Sequence, residues 1–377
     1  MFYINTLNVA ETIANVWGVV WPYLVAILLF GVIIAIHEFG HFFFAKLFKV
    51  KVNEFALGMG PVLFKKKIGE TQYALRLFPI GGFVSMEGED AESEDEGAFN
   101  KKKPYQRFII VAAGAILNLI LGVVVVAICL SMQTLVGSRY VHSFHENATS
   151  CNYGLQADDE IIKINGTHVY SSRGIGFNMV RDTDNKLDLT VIRDGKTVEL
   201  KDVEFKQFEF EGRQYIEQDF YVIGEAPEYV TVLGKQVVSP SWVLKIAKTS
   251  ILDSASIVQM VRLSLVDLCT GKYGMKDVSG PIGTISAIAD STAQGPTAKD
   301  KLFTALTLLS FITINVGVFN LLPVPALDGG RLFFIVIEMI RRKPINPKKE
   351  GIIHTVGLVL LLLFMAIVSI SDIIKVF

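Results

Sequence analysis

The chain has 377 residues, 51% of them hydrophobic, with a mean hydropathy of +0.44 and a formal net charge of −1. That is more apolar material than a soluble domain of this size usually carries, so the composition points to a polytopic membrane protein; the net charge by itself says nothing about nucleic acid, and no nucleic-acid partner is expected. Cys129, Cys151 and Cys269 are too few and too scattered for a disulfide framework or a cysteine-based metal site; Cys129 falls in an apolar span, and a bridge between Cys151 and Cys269 stays open.

Residues 1–48 form the N-terminus and first span. Met1 to Val20 lacks the basic start and small-residue cleavage site of a signal peptide, so the apolar run Val20–Phe44 is expected to be retained. Inside it stands His37-Glu38-Phe39-Gly40-His41. On a helix the two histidines lie one turn apart on one face, so both imidazoles can reach one Zn²⁺ while Glu38 addresses a water there. Ionisable groups deep in hydrocarbon are costly and functional by default, which makes a chance histidine pair the poorer reading.

Residues 49–107 read as a membrane-associated hairpin region with an acidic loop. Val52–Phe64 and Gln72–Met86 alternate imperfectly, punctuated by Gly58, Gly60, Pro61 and by Pro79, Gly81, Gly82, which predicts β-hairpins packed on the catalytic helices or lying at the surface. An exposed edge there would suit an extended substrate segment, and a flap with no substrate role fits the pattern equally. Glu87–Glu96 reads as a solvated, mobile acidic loop.

Further spans are expected at Phe108–Met132 (domain 108–132), Leu302–Leu322 and Ile352–Ile370, each near the roughly 20 helical residues that an apolar core about 30 Å thick requires. Basic clusters at Lys65–Lys67, Lys101–Lys103, Arg341–Lys343 and Lys348–Lys349 mark the first and third loops as cytosolic. Both termini and the stretch between the second and third spans then face outward. The HEFGH site falls in the inner half of its span, toward the cytosol.

Residues 133–206 have soluble-domain character. Gly154-Leu155-Gln156-Ala157-Asp158-Asp159-Glu160 leads into the strand Ile161–Ile164 and the turn Asn165-Gly166, and Leu187–Arg193, Asp194-Gly195, Thr197–Leu200 reads as a hairpin. Together they resemble one extracytoplasmic PDZ-like α/β domain, which would take a peptide ligand by strand addition or act as a spacer that limits access. Residues 207–301 read as an extracytoplasmic amphipathic region. There Pro240–Cys269 is a surface helix and not a fifth span, because Lys245, Lys248, Asp253, Arg262 and Asp267 interrupt it. His142, His145 and His168 read as surface residues.

A catalytic-type zinc site needs a third protein ligand and one open position. In residues 302–341, Asn320-Leu321-Leu322-Pro323-Val324-Pro325-Ala326-Leu327-Asp328-Gly329-Gly330 ends the third span. Its two prolines break the helix and its glycines permit a tight turn, so Asp328 is expected to project from non-helical backbone toward the first span. A helix-terminating loop with a capping aspartate is the plain alternative. A cytosolic loop, 342–351, and a fourth span, 352–377, complete the chain.

The ordered set of HEFGH, Gly58-Met59-Gly60-Pro61, Pro79-Ile80-Gly81-Gly82-Phe83-Val84, Gly114 with Asn118, Ser279-Gly280-Pro281-Ile282-Gly283 and NLLPVPALDGG resembles the site-2 protease family of intramembrane zinc metalloproteases. The match is close to its bacterial regulator-of-sigma-E branch (peptidase family M50B). The resemblance implies four transmembrane helices, one Zn²⁺ per chain held by His37, His41 and Asp328, and Glu38 as the base. It implies substrate contacts from Asn320, Pro323 and Pro325, and from Gly81, Gly82 and Phe83 on a membrane-reentrant β-loop. Gly114-Ala115 stands where many relatives have Gly-Pro. The activity implied is regulated intramembrane proteolysis of single-span proteins, such as anti-sigma factors and signal-peptide remnants, in the bacterial cytoplasmic membrane. A non-enzymatic PDZ-containing membrane adaptor would be expected to have lost a ligand or the base; a metal transporter would line successive spans with polar groups, and the second and fourth offer little beyond Asn118 and His354.

Overall fold

A computed structural model describes residues 6–89, 93–182, 184–210, 212–232, 235–272 and 280–376, so Ser279 of the SGPIG motif and Asp90, Ala91 and Glu92 of the acidic run lie outside the described residues. The chain forms two compact units, one from Met1–Gly122 and Asp267–Phe377, the other from Val123–Val266.

The first unit is organised by helices long and apolar enough to cross a membrane, and the described residues contain four such stretches: Val16–Leu47 in α1 (Thr6–Leu47), Pro104–Met132 (α2), Ala298–Leu321 (named α6 in chain order) and Lys348–Ile374 in α8 (Pro347–Val376). Each starts before the apolar core expected from sequence, and α1 and α8 also run past its end, whereas α2 ends at Met132 as expected and α6 stops one residue short, at Leu321. At α6 the Thr297 hydroxyl accepts from Asp300 N–H while the Asp300 carboxylate accepts from Thr297 N–H. Small residues let the helices approach: a Cβ on Gly40 would lie 2.6 Å from Ala113 O, and one on Gly317 3.0 Å from Ala115 O.

Between α1 and α2, β1 (Val52–Ile68) and β2 (Thr71–Met86) fold back on themselves. Glu54–Leu57 pair on one side with Gly82–Ser85 and on the other with Gln72–Leu75, while Val62–Ile68 pair with Thr71–Arg76. The segment Gly82–Met86 is thereby left as an outer strand of this small sheet. Gly58, Gly60 and Gly81 take φ near +86° at the bends, a region open to glycine. The base of the sheet is anchored: Val52, Val84 and Met86 share a core with Ile110 and Val111 of α2 and with Leu332 and Ile335 of α7 (Asp328–Arg341).

The acidic loop differs from the expectation of a solvated, mobile segment at its described ends. Ser93 Oγ (2.7 Å) and Asn53 Nδ2 (3.0 Å) donate to Glu87, and Lys51 Nζ (2.8 Å) donates to Asp95. The Ser93 hydroxyl holds the Glu87 carboxyl below its usual range, and the Lys51 ammonium does the same for Asp95. Helix α5 (Pro281–Ala293) starts with its Gly280 and Gly283 N–H groups donating to Asp372 of α8, both at 2.9 Å.

The second unit carries a sheet of order β10-β3-β4-β6-β7, with β3 Val136–Phe144, β4 Glu160–Ile164, β6 Lys186–Arg193, β7 Lys196–Glu204 and β10 Phe220–Glu225; β5 (Thr167–His168) adds to β4. Residues of these strands, among them Val141, Ile161, Ile164, Leu189 and Val191, bury a core with Ile175 and Met179 of α3 (Ser172–Arg181), with β4 departing from strict alternation at a register shift between Ile161 and Lys163. The expected domain limit at Lys206 is too early. β10 pairs with β3 from Phe220↔Phe144 to Glu225↔Val136, and Phe205, Ile216 and Phe220 belong to the same core. Local pattern concealed this because the hairpin β8 (Gln207–Phe210) and β9 (Arg213–Ile216) intervenes and the partner strand lies far back in the chain.

Beyond a further hairpin, β11 (Tyr229–Val232) and β12 (Lys235–Val238), runs α4, Pro240–Cys269, which is not among the candidate spans. Two of its charges are buried: Asp267 is 3% exposed, and Asp253, 5% exposed, accepts from Ser171 Oγ (2.7 Å) and from Arg173 Nε (3.1 and 3.2 Å). None of the three cysteines is in a disulfide.

Candidate metal centre and cleavage pocket

The helical repeat of α1 brings His37 and His41 to one face, with Nε2 atoms 3.3 Å apart and rings nearly perpendicular at 85°. Asp328 Oδ2 lies 3.1 Å from His37 Nε2 and 3.2 Å from His41 Nε2. These residues are the one group of three potential metal ligands among the described residues.

The triangle suits a tetrahedral ion. With metal–nitrogen bonds of about 2.0–2.1 Å, tetrahedral ligands sit about 3.3 Å from one another. Protein groups alone leave the arrangement unsatisfied, since Asp328 Oδ2 is buried and has no aligned hydrogen-bond donor although two ring nitrogens stand beside it. Three donor atoms converging with too few protons among them are what a cation requires. His41 Nδ1 is 2.9 Å from the carbonyl oxygen of Ile110, so with its proton on Nδ1 the ring turns Nε2 toward the other two donor atoms. Room for the rings comes from Gly114 of α2, where a Cβ would stand 2.4 Å from His41 Nε2.

Asp328 reaches the histidines by a route that differs from the expectation. It is the first residue of α7 and not part of a non-helical stretch, and a carboxylate in a first helical turn is favoured by the exposed N–H groups there. The tight turn is taken by Ala326, at φ +77°, with its N–H donating to His354 Nδ1 of α8 at 3.1 Å. Gly329 and Gly330 act through close packing instead: a Cβ on Gly329 would lie 1.8 Å from Leu322 O, and one on Gly330 2.7 Å from Val324 O.

A cavity of about 530 Å³ opens beside the triad, lined by Glu38, the strand Gly82–Met86, the turn Ala326–Leu327, and Arg331, Glu89 and His354. Gly82 passes so near Glu38 that a Cβ there would be 3.1 Å from Glu38 Cγ. The cavity therefore joins a carboxylate, three metal-type ligands and an outer β-strand. Of the other residues the sequence marks, Phe83 lines the cavity, Gly81 forms the bend before it against Met59, and Asn320 occupies the last turn of α6. Pro323 is exposed, and Pro325 packs on Gly357 of α8. Asn320, Pro323 and Pro325 are not part of the cavity wall.

Arg331, Glu89 and His354 had no assigned role in the sequence. Arg331 and Glu89 form an ion pair at the cavity, and only the histidine, a polar residue in an apolar span, offered a signal. Away from the site, His145 packs on Tyr221 and His168 stacks on Tyr170.

Residues 25–364 match the profile of Peptidase family M50. Over 351 residues the chain is 37% identical to a candidate zinc metalloprotease of Clostridium acetobutylicum, covering 93% of this chain and 96% of that protein. It is 30% identical to the zinc metalloprotease RasP of Bacillus licheniformis and 27% identical to the regulator of sigma-W protease RasP of Bacillus subtilis, in each case over 93% of this chain and 98% of the relative.

Proposed function

The chain belongs to peptidase family M50, and from that premise we infer that His37, His41 and Asp328 hold the single zinc ion of an intramembrane metalloprotease whose general base is Glu38. The observation that carries this reading is the triangle of donor atoms with 3.1, 3.2 and 3.3 Å edges, opening into a cavity that Glu38 also lines. When bound, the ion polarises the scissile carbonyl and lowers the pKa of the attacking water to about 7. Glu38 takes the proton released in the attack and passes it to the leaving amine.

A transmembrane helix hides its peptide bonds, because each carbonyl is already bonded within the segment. Cleavage therefore needs local unwinding, and the Gly82–Met86 strand supplies backbone partners for the unwound stretch. Gly81, Gly82 and Phe83 align that stretch; Asn320, Pro323 and Pro325 contact it from the end of α6. The substrates are single-span membrane proteins, anti-sigma factors or signal-peptide remnants, in line with a similar protein whose name ties it to sigma-W regulation. The protein is multi-pass in the bacterial cytoplasmic membrane, surrounded by lipid, with its basic loops and active site toward the cytosol and the Val136–Glu225 sheet unit outside. That unit is the PDZ-like module, and β10 ends its sheet with β3 as its one strand neighbour, which suits addition of a peptide strand. A non-enzymatic adaptor is disfavoured because the ligands and base are all present and converge on one cavity.

The test is cleavage of a reporter with a helix-destabilised single span by purified protein in detergent, with bound zinc measured alongside. Glu38→Gln is expected to lower turnover roughly 10²–10⁴-fold while keeping zinc. Asp328→Asn should lose both. Turnover that survives Glu38→Gln would reject the mechanism.

A further inference from the structure

Both histidines must turn Nε2 toward the ion, and a neutral imidazole can do so only with its proton on Nδ1, where an acceptor holds it. For His41 that acceptor is the Ile110 carbonyl. At Nδ1 of His37, 3.4 Å away, stands Nδ2 of the Asn118 side-chain amide. Asn118 is 0% exposed within an apolar helix, and its backbone carbonyl accepts from Thr313 Oγ1 of α6 at 3.2 Å. Ile110, Gly114 and Asn118 recur at four-residue spacing on α2, so one stripe orients His41, leaves room for both rings and reaches His37.

We propose that Asn118 is a positioning residue of the metal centre: its Oδ1 accepts the Nδ1–H of His37, selects that tautomer and fixes the ring with Nε2 toward Asp328. The inference rests on the ligand set assigned above and extends it to a second layer. The amide as placed turns Nδ2 toward His37, which would drive the ring proton onto Nε2, into the place of the ion, and it leaves the buried Oδ1 without a partner. A half-turn of the amide removes the conflict. An asparagine at this depth in a membrane span is costly, and a space-filling role would be served better by leucine.

The test measures zinc affinity of the full-length protein in detergent by competition with a chromophoric chelator, with thermal unfolding of the metal-free forms as the fold readout. Asn118→Leu is expected to weaken zinc binding about 10- to 100-fold. Asn118→Asp, which supplies an acceptor of similar size, is expected to keep or tighten it. An Asn118→Leu protein that binds zinc as tightly as the parent overturns the proposal, as does a folded Asn118→Asp protein that has lost it. Should the leucine variant not fold, the aspartate variant decides alone. His37→Ala separates the two layers: parental zinc affinity in that variant rejects the ligand assignment itself, whereas its loss beside an unaffected Asn118→Leu rejects only the role of Asn118.

Discussion

The candidate metal centre is built in two halves by different means. His37, Glu38 and His41 are set by the repeat of one regular helix, and α2 has only to leave space and offer acceptors. Asp328 is set by contacts: Ala326 held at positive φ, its N–H bound by His354, Gly329 pressed on the Leu322 carbonyl, and Gly357 of α8 admitting Pro325. A half made by periodicity survives changes around it. A half made by contacts depends on each neighbour.

That contrast orders the expected effects. Gly329→Ala should be the most severe, because its Cβ would fall 1.8 Å from backbone that has nowhere to move. Destabilisation of about 3 kcal/mol together with loss of zinc is expected, read as a lower unfolding midpoint in detergent and an empty metal assay. A stable, zinc-loaded Gly329→Ala protein would break the comparison.

Gly114→Ala probes the other half. Its Cβ would meet His41 Nε2 at 2.4 Å, and in the metal-free protein the imidazole can rotate away. Zinc affinity should fall about 100-fold, whereas fold stability stays within about 1 kcal/mol because alanine is the better helix former. Equal loss of fold in Gly114→Ala and Gly329→Ala would erase the distinction between the halves.

The smallest effects belong to the Ala326 turn. His354→Phe removes the acceptor for Ala326 N–H and should cost about 1 kcal/mol. Ala326→Gly relieves a conformation costing about 1–2 kcal/mol against an entropic penalty of about 0.5–1 kcal/mol, for a net gain of up to about 1 kcal/mol. The double variant sharpens the comparison: with glycine at 326, the histidine change should cost less than it does alone.

The HEFGH half was legible because its chemistry repeats at the spacing of its own helix, so residue identity and position coincide. The four spans were legible for a related reason, since the length and apolarity that cross a membrane are properties of single segments. Asp328 was a candidate from its own segment, chosen over a plain capping aspartate only through family resemblance, and its place at the head of α7 contradicted the expected non-helical geometry because the tight bend fell on Ala326, a residue without turn propensity. β10 was missed because strand pairing is a property of two segments, and one of them carries no mark of the other.

Taken alone, the sequence determined which residues could carry the chemistry and that they would do so within the membrane; composition and periodicity are local and additive, and both are written into contiguous residues. Only tertiary structure decided that the three candidate ligand atoms close to 3.1–3.3 Å, that the Gly82–Met86 strand runs past Glu38, and that Asn118 stands behind His37. Those distances depend on how separate segments pack, where a missing Cβ or one backbone carbonyl sets the approach, and no single segment encodes them.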